Sequence, residues 1–209
     1  MKDKPRSGPG PLRVGLFYGF LAGAVSVFSH FFFFLLDPET MTDWVLAAIT
    51  NFIPLASIAA YIFLGILAAV RARPTYLDSG VPYRSLLLRD AALAAALVAL
   101  VAGLINIVST GLQATVFADD IRNFATEAAP KIVSYVNEVR ADLSDPPPPA
   151  NIEQMERILQ PPALSDLGQT IGNTAIGTML LGALGGVIGG LRGLGHRKSE
   201  TPNPDEDEN

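Results

Sequence analysis

Cysteine is missing from this chain, and histidine occurs only twice, at His30 and His196. Without a thiol there is no disulfide, no thiolate metal site and no cysteine nucleophile. Neither histidine has a neighbouring cluster of carboxylates, so no metal centre, catalytic group or cofactor is expected. Asp119 and Asp120 are adjacent but point to different helical faces, which gives no convergent acid pair. Charge is also scarce: 17% of residues carry it, against about a quarter in soluble domains. The glycine-rich run has no GK[ST] after it and no strand before it, which excludes a phosphate-cradling loop. No folded segment on the basic side presents a groove-reading element, so nucleic acid is not an expected partner.

What the chain does have is apolar length. Of its 209 residues 49% are hydrophobic, and its mean hydropathy is positive. Four apolar runs are separated by polar segments, and they define an all-α, polytopic membrane protein with four transmembrane helices. Residues 1–13 form a basic, disordered leader, and the first span is uncharged from 14 to 36. That run is longer than a signal peptide's apolar region and ends in Phe31–Phe34 rather than in a small-residue cleavage site. An acidic turn at 37–43 leads to Trp44 at an interface and to a second span, 44–70, which Pro54 should kink. A loop with Arg71, Arg73, Arg84 and Arg89 precedes a third span at 91–109, so the first three spans occupy 14–110. The connection 111–168 is a helical extracytoplasmic segment, the fourth span is 169–191, and 192–209 is a basic, then acidic, disordered tail.

Sorting the basic residues orients the chain. Eleven of the fifteen fall in the leader, the arginine loop and the stretch after span four; Arg122, Lys131, Arg140 and Arg157 make up the rest. The positive-inside rule then places both termini in the cytoplasm of a bacterial inner membrane.

Two sets of residues inside the spans stand out. Gly15, Gly19 and Gly23 repeat every fourth residue in span one, as do Gly182, Gly186 and Gly190 in span four, with Gly185, Gly189 and Gly193 beside them. In water each glycine would weaken a helix by about 1 kcal/mol relative to alanine. In lipid the backbone bonds have no competitor, and a bare stripe admits a neighbouring backbone. Both stripes lie in the cytoplasmic half, so spans one and four are expected to meet through them, or else to pair two copies of the chain. Ala95, Ala99 and Gly103 are a weaker version in span three. The second set is one polar side chain per span in the outer third: His30, Asn51, Asn106 and Asn173. These serve either as interhelical hydrogen bonds, worth about 1 kcal/mol each, or as a pocket for a lipid headgroup or small solute.

In the outer segment Phe117, Ile121, Phe124 and Ala128, then Ile132, Val136, Val139 and Leu143, keep helical spacing with a break or kink expected at Pro130. Pro146–Pro149 form an extended spacer, and Asn151 with Gln154 resembles a capping box for a helix over 152–159. The polar face is largely acidic, so attraction to anionic lipid is weak, and this segment is expected to cap the bundle or bind a partner. In layout, and in the stretches GVPYRSLLLRDA (80–91) and the glycine-ended fourth span, the chain resembles small bacterial four-span membrane proteins of unknown function. The sequence therefore favours a non-enzymatic scaffold or accessory subunit, partnered by membrane lipid and by another membrane protein or a second copy. The alternative is a small transporter or lipid-binding protein built on the outer polar set.

Overall fold

Pro11 opens the first helix at a position where a missing N–H leaves no bond unmade, and α1 runs from Pro11 to Phe31. The structure, a computed structural model, describes residues 9–74 and 81–197; most of the leader, residues 75–80 of the arginine loop and the tail from 198 lie outside the described residues. α1 ends within the phenylalanine run rather than at 36. Phe32–Leu35 tightens into a 3₁₀ turn, and a second, Pro38–Thr40, is capped by the Asp37 carboxylate accepting from the Glu39 N–H at 3.0 Å.

The expected second span is three joined pieces: α2 (Asp43–Ala47), a π turn (Ala48–Phe52) and α3 (Ile53–Arg71). Pro54 has no N–H to offer the carbonyl four residues earlier, and a widened turn just before it absorbs the misfit. α4 (Tyr83–Thr115) is 33 residues, about 50 Å, and overruns the expected 91–109 at both ends. α5 (Ala118–Ala141), α6 (Ile152–Leu159) and α7 (Asp166–Arg197) complete the chain, and no strand occurs among the described residues. Three helices are long and apolar enough to cross a membrane, over Pro11–Leu35, Tyr83–Thr115 and Asp166–Leu194; Leu55–Arg71 is apolar but shorter.

The chain divides into two compact units. The first holds residues 1–23, 60–103 and 173–209, and α4 is its centre. On one side Val14, Tyr18 and Ala22 of α1 pack with Ala94, Val98 and Ala102 of α4, with Ala68 of α3 and with Ala72 just after it. On the other, Ala91, Ala95 and Ala99 of α4 pack with Leu181 of α7 and Ala69 of α3. Apart from Tyr18, Leu86, Leu87 and Leu181, which are buried, many large apolar side chains face outward, among them Phe17, Phe20, Leu100, Met179 and Leu191. Small inside and large outside suits lipid as the surrounding solvent.

Helix directions follow from the same contacts. A methyl group at Gly15 would meet Leu97 and the Ala94 carbonyl, and one at Gly19 would meet Val101, so α1 and α4 run in the same direction. Along α7 the partners fall as numbers rise: Ala96 for Gly182, Ala91 for Gly185, Leu87 for Gly189 and Arg84 for Gly193. α7 is therefore antiparallel to α4. α3 runs with α7, since Tyr61 meets Gly177 and Leu181 meets Gly65, and its far end returns to the start of α1, where Arg73 N–H donates to Pro9 O at 3.3 Å. The glycine stripes of α1 and α7 thus both meet the alanine-rich α4, where the sequence reading had them meet each other. The tight stripe on α7 is Gly185, Gly189 and Gly193; a methyl group added at Gly182, Gly186 or Gly190 would stand 3.3, 3.7 or 3.8 Å from its nearest neighbour. Gly23 of α1 is buried.

The second unit holds residues 24–59 and 104–172. α5 presents Ala118, Ile121, Ala125, Ala128 and Ile132 as its buried stripe and continues through Pro130 as one helix, so that of the expected break or kink the break does not occur. Its core joins Ala128 and Ile132 to Leu46, with Met41, Phe124, Met155 and Leu159 around them. The phenylalanine run docks on the start of α5: Phe31 and Phe34 stand 5.4 and 5.1 Å from Phe117, and Phe33 stands 5.4 Å from Phe124, ring centre to ring centre. The proline stretch folds back on α5. Asn137 exchanges two hydrogen bonds with Ala150, and Arg140 donates to Pro148 O at 2.9 Å. Asn151 then caps α6 by accepting from the Glu153 N–H at 3.0 Å.

Candidate functional site

The polar side chains of the second unit assemble where α1 ends. Ser26 and His30 are one turn apart on α1, and Asn106 and Gln113 are two turns apart on α4, so each pair shares a helix face. His30 Nδ1 lies 2.7 Å from the Ser26 carbonyl oxygen. A carbonyl only accepts, so Nδ1 carries the proton and donates. The Ser26 hydroxyl, 3.4 Å from the same nitrogen, then has no acceptor there and donates to Asn106 Oδ1 at 3.2 Å. Gln113 Nε2 donates to the His30 carbonyl at 2.7 Å, supplying a partner to one of the carbonyls that the end of α1 leaves open. Beside them the Ser29 and Ser57 hydroxyls bond to each other, and each also donates within its own helix, to Val25 O and Ile53 O.

Of the four residues the sequence singled out, His30 and Asn106 are brought together through Ser26. Asn173 is exposed in the first unit and takes no part in these bonds. The Asn51 side chain lies outside the described residues. The sequence reading missed Ser26, Ser29, Ser57 and Gln113. The signal for Ser26 and Gln113 was their four- and seven-residue spacing from His30 and Asn106. The set contains an imidazole, two amides and three hydroxyls but no carboxylate. No buried side-chain nitrogen or oxygen among the described residues lacks a partner, and no metal-ligating cluster occurs among them. Chemically this is a closed hydrogen-bond network that ties α1, α3 and α4 together.

A second polar arrangement, in the first unit, likewise closes a helix C-terminus. The Arg192 guanidinium, on α7, donates to the carbonyls of Ala69 and Ala72 at 2.8 and 3.0 Å. Those are among the carbonyls that the C-terminus of α3 leaves without helical donors. The sequence reading placed Arg192 in a loose basic tail; the structure makes it a cap. Asp90 is buried in α4 and accepts from Arg89 Nε at 2.8 Å. It lies two turns inside α4, which begins at Tyr83.

Compared with known protein families, with curated proteins and with solved structures, the chain has no match.

Proposed function

We propose that this is a four-span integral membrane protein of a bacterial inner membrane, with both termini cytoplasmic, acting as a non-enzymatic scaffold or accessory subunit. The alternating directions of α1, α3, α4 and α7 support a fourth crossing by the shorter α3: two helices running the same way need a return between them. Charge supports the orientation. Among the described residues, the second unit has twelve acidic and four basic residues, and the first has seven arginines and one acid. The segment after α4 is then extracytoplasmic and folds onto the chain's own outer turns.

The observation that carries the scaffold reading is the surface of that segment. Val139, Leu143, Ile158 and Leu164 are 49, 52, 69 and 59% exposed, although α5 and α6 have a core of their own. Ser26, His30, Asn106 and Gln113, by contrast, are engaged in bonds within the chain, which leaves a solute few open partners among them. The test is purification of the tagged chain from its native membrane in a mild detergent. A second protein should co-purify in fixed proportion, and it should be lost when Val139, Ile158 and Leu164 are changed to serine with the thermal midpoint unchanged. Retention of a lipid or solute that His30→Ala abolishes, with no protein partner, would sink the scaffold reading and favour a small transporter or lipid-binding protein.

A further inference from the structure

Because α1 and α4 run one way and α3 and α7 the other, two helix starts and two helix ends share one end of the first unit. Seven arginines collect there: Arg13 on α1, Arg71 and Arg73 at the end of α3, Arg84 and Arg89 on α4, and Arg192 and Arg197 on α7. Asp90 is the one acid of that unit among the described residues, and it is occupied by Arg89. Among the described residues, no other carboxylate of that unit stands with the remaining guanidiniums.

They are also held in place rather than loosely arrayed. The Arg71 guanidinium lies over the Tyr18 ring, 5.9 Å from its centre. Arg73 is tethered through its backbone to Pro9. The Arg84 stem lies against Gly193, and Arg192 is fixed on the α3 carbonyls with Arg73 and Tyr83 within electrostatic reach. Clustered guanidiniums repel one another, and that cost is recovered when an anion with several acceptor oxygens sits among them; phosphate matches the guanidinium fork two bonds at a time. A free phosphate would need only this polar end. A phospholipid also needs an apolar wall, and the exposed faces of Leu12, Phe17 and Phe20 on α1 begin beside Arg13 and flank Tyr18.

We propose that this end of the protein is a binding site for the phosphodiester headgroup of an anionic phospholipid, with Arg71 and Arg73 as its principal donors. The site rests on the four-span reading for its assignment to the cytoplasmic leaflet, where anionic headgroups attract basic residues. It also gives the basic loop a task beyond orientation.

To test it, the full chain in non-ionic detergent is titrated with dioleoylphosphatidylglycerol, dioleoylphosphatidylcholine or inorganic phosphate. Bound lipid is read by native mass spectrometry and stability by the thermal midpoint. Phosphatidylglycerol should bind and raise the midpoint, and phosphatidylcholine should do neither. Each arginine removed should weaken binding about fivefold, so Arg71→Gln with Arg73→Gln should weaken it about 25-fold. Arg122→Gln with Arg157→Gln, in the other unit, should change nothing. If the first pair fails to fold, Arg13→Gln with Arg84→Gln reads the same site with the same expected loss. Equal binding of the two lipids, or equal loss in the Arg122 and Arg157 variant, overturns the proposal. Displacement of the lipid by inorganic phosphate at matched concentration overturns the lipid as occupant. None of these readouts involves the protein partner of the scaffold reading, so the two proposals fail separately.

Discussion

Gly185 and Gly186 are adjacent in α7 and differ in what stands before them. A methyl group at Gly185 would lie 2.6 Å from the Ala91 carbonyl oxygen and 2.7 Å from Ala95 Cβ; at Gly186 its nearest neighbour would be Ala92 Cβ at 3.7 Å. The carbonyl belongs to the α4 backbone and cannot turn aside. Gly185→Ala therefore forces α4 and α7 apart by about 1 Å, and a gap of that size forfeits about a quarter to a half of each neighbouring dispersion contact. The contacts at stake are those of Gly189 with Leu87 and Leu88 and of Gly193 with Arg84, which depend on the same close approach. Overpacking of this kind costs about 1–3 kcal/mol. The opposing gain in helix propensity reaches about 1 kcal/mol in water. The net loss for Gly185→Ala is up to about 2 kcal/mol, or up to about 8 °C in thermal midpoint for a chain of this size. Gly186→Ala meets only ordinary contact and should leave the midpoint level or slightly raised. Both variants are measured by thermal unfolding in the same detergent. Equal midpoints, or a lower one for Gly186→Ala, would refute the packing register of α7 on α4.

Ile132 is 1% exposed against Leu46, so Ile132→Ala should cost the second unit about 2–4 kcal/mol. Amide exchange should speed up in α5 and α6 while α4 keeps its protection; uniform protection would mean that the core does not depend on this residue. Arg192→Gln should lose about 1.5–3 kcal/mol, because the two α3 carbonyls lose a charged donor, and Arg192→Lys should recover part of it; indistinguishable midpoints would remove Arg192 from the role of cap. For topology, Thr40→Cys and Ser144→Cys should react with an impermeant thiol reagent on intact cells, and Ser79→Cys only after lysis. The absence of native cysteine leaves that assay without background, and labelling at position 79 in intact cells would invert the orientation.

The helical class of the fold was legible from hydropathy, because apolar runs of span length admit little else. The partners were not. A glycine stripe announces that something approaches closely, but it has no side chain with which to specify what. The complementary surface was Ala91, Ala95 and Ala99 on α4, an alanine run that in sequence resembles ordinary helix filler. The spacing also could not tell which of the two adjoining stripes on α7 would be the tight one. In α5 the reading followed the large residues Phe117, Val139 and Leu143, whereas the buried stripe is made largely of alanines with Ile121 and Ile132, and Val139 and Leu143 stay exposed. Pro130 looked like a break, but it is exposed, and the buried Ala128, Ala129, Ile132 and Val133 on either side hold the helix through the one missing bond. The serines of the polar cluster were silent for a related reason. A helical serine can satisfy itself on the carbonyl four residues back, as Ser29 and Ser57 do, so its presence in a span signals no partner.

The two units are held by different forces, and on the proposed topology the change follows the solvent. Between helices in lipid, apolar side chains gain nothing from meeting each other, since the acyl chains are as apolar as they are. What remains is the close approach of backbones, and the first unit is built for it, with glycine and alanine inside and leucine and phenylalanine outside. In contact with water, burial of apolar area works again, at about 25 cal/mol per Å². Accordingly, the α5–α6 layer buries Ile132, Leu46, Phe124 and Met155. The polar cluster around Ser26 and His30 belongs to the second unit, with the aromatic contacts of Phe31 and Phe34. A glycine-and-alanine interface offers no side-chain bond to exchange, so it suits a fixed frame. The second unit carries side-chain hydrogen bonds, rings and exposed apolar residues, each of which a partner can compete for or cover. If this protein recognises another, recognition belongs there, and substitutions in the first unit should change how much protein survives in the membrane before they change what it binds.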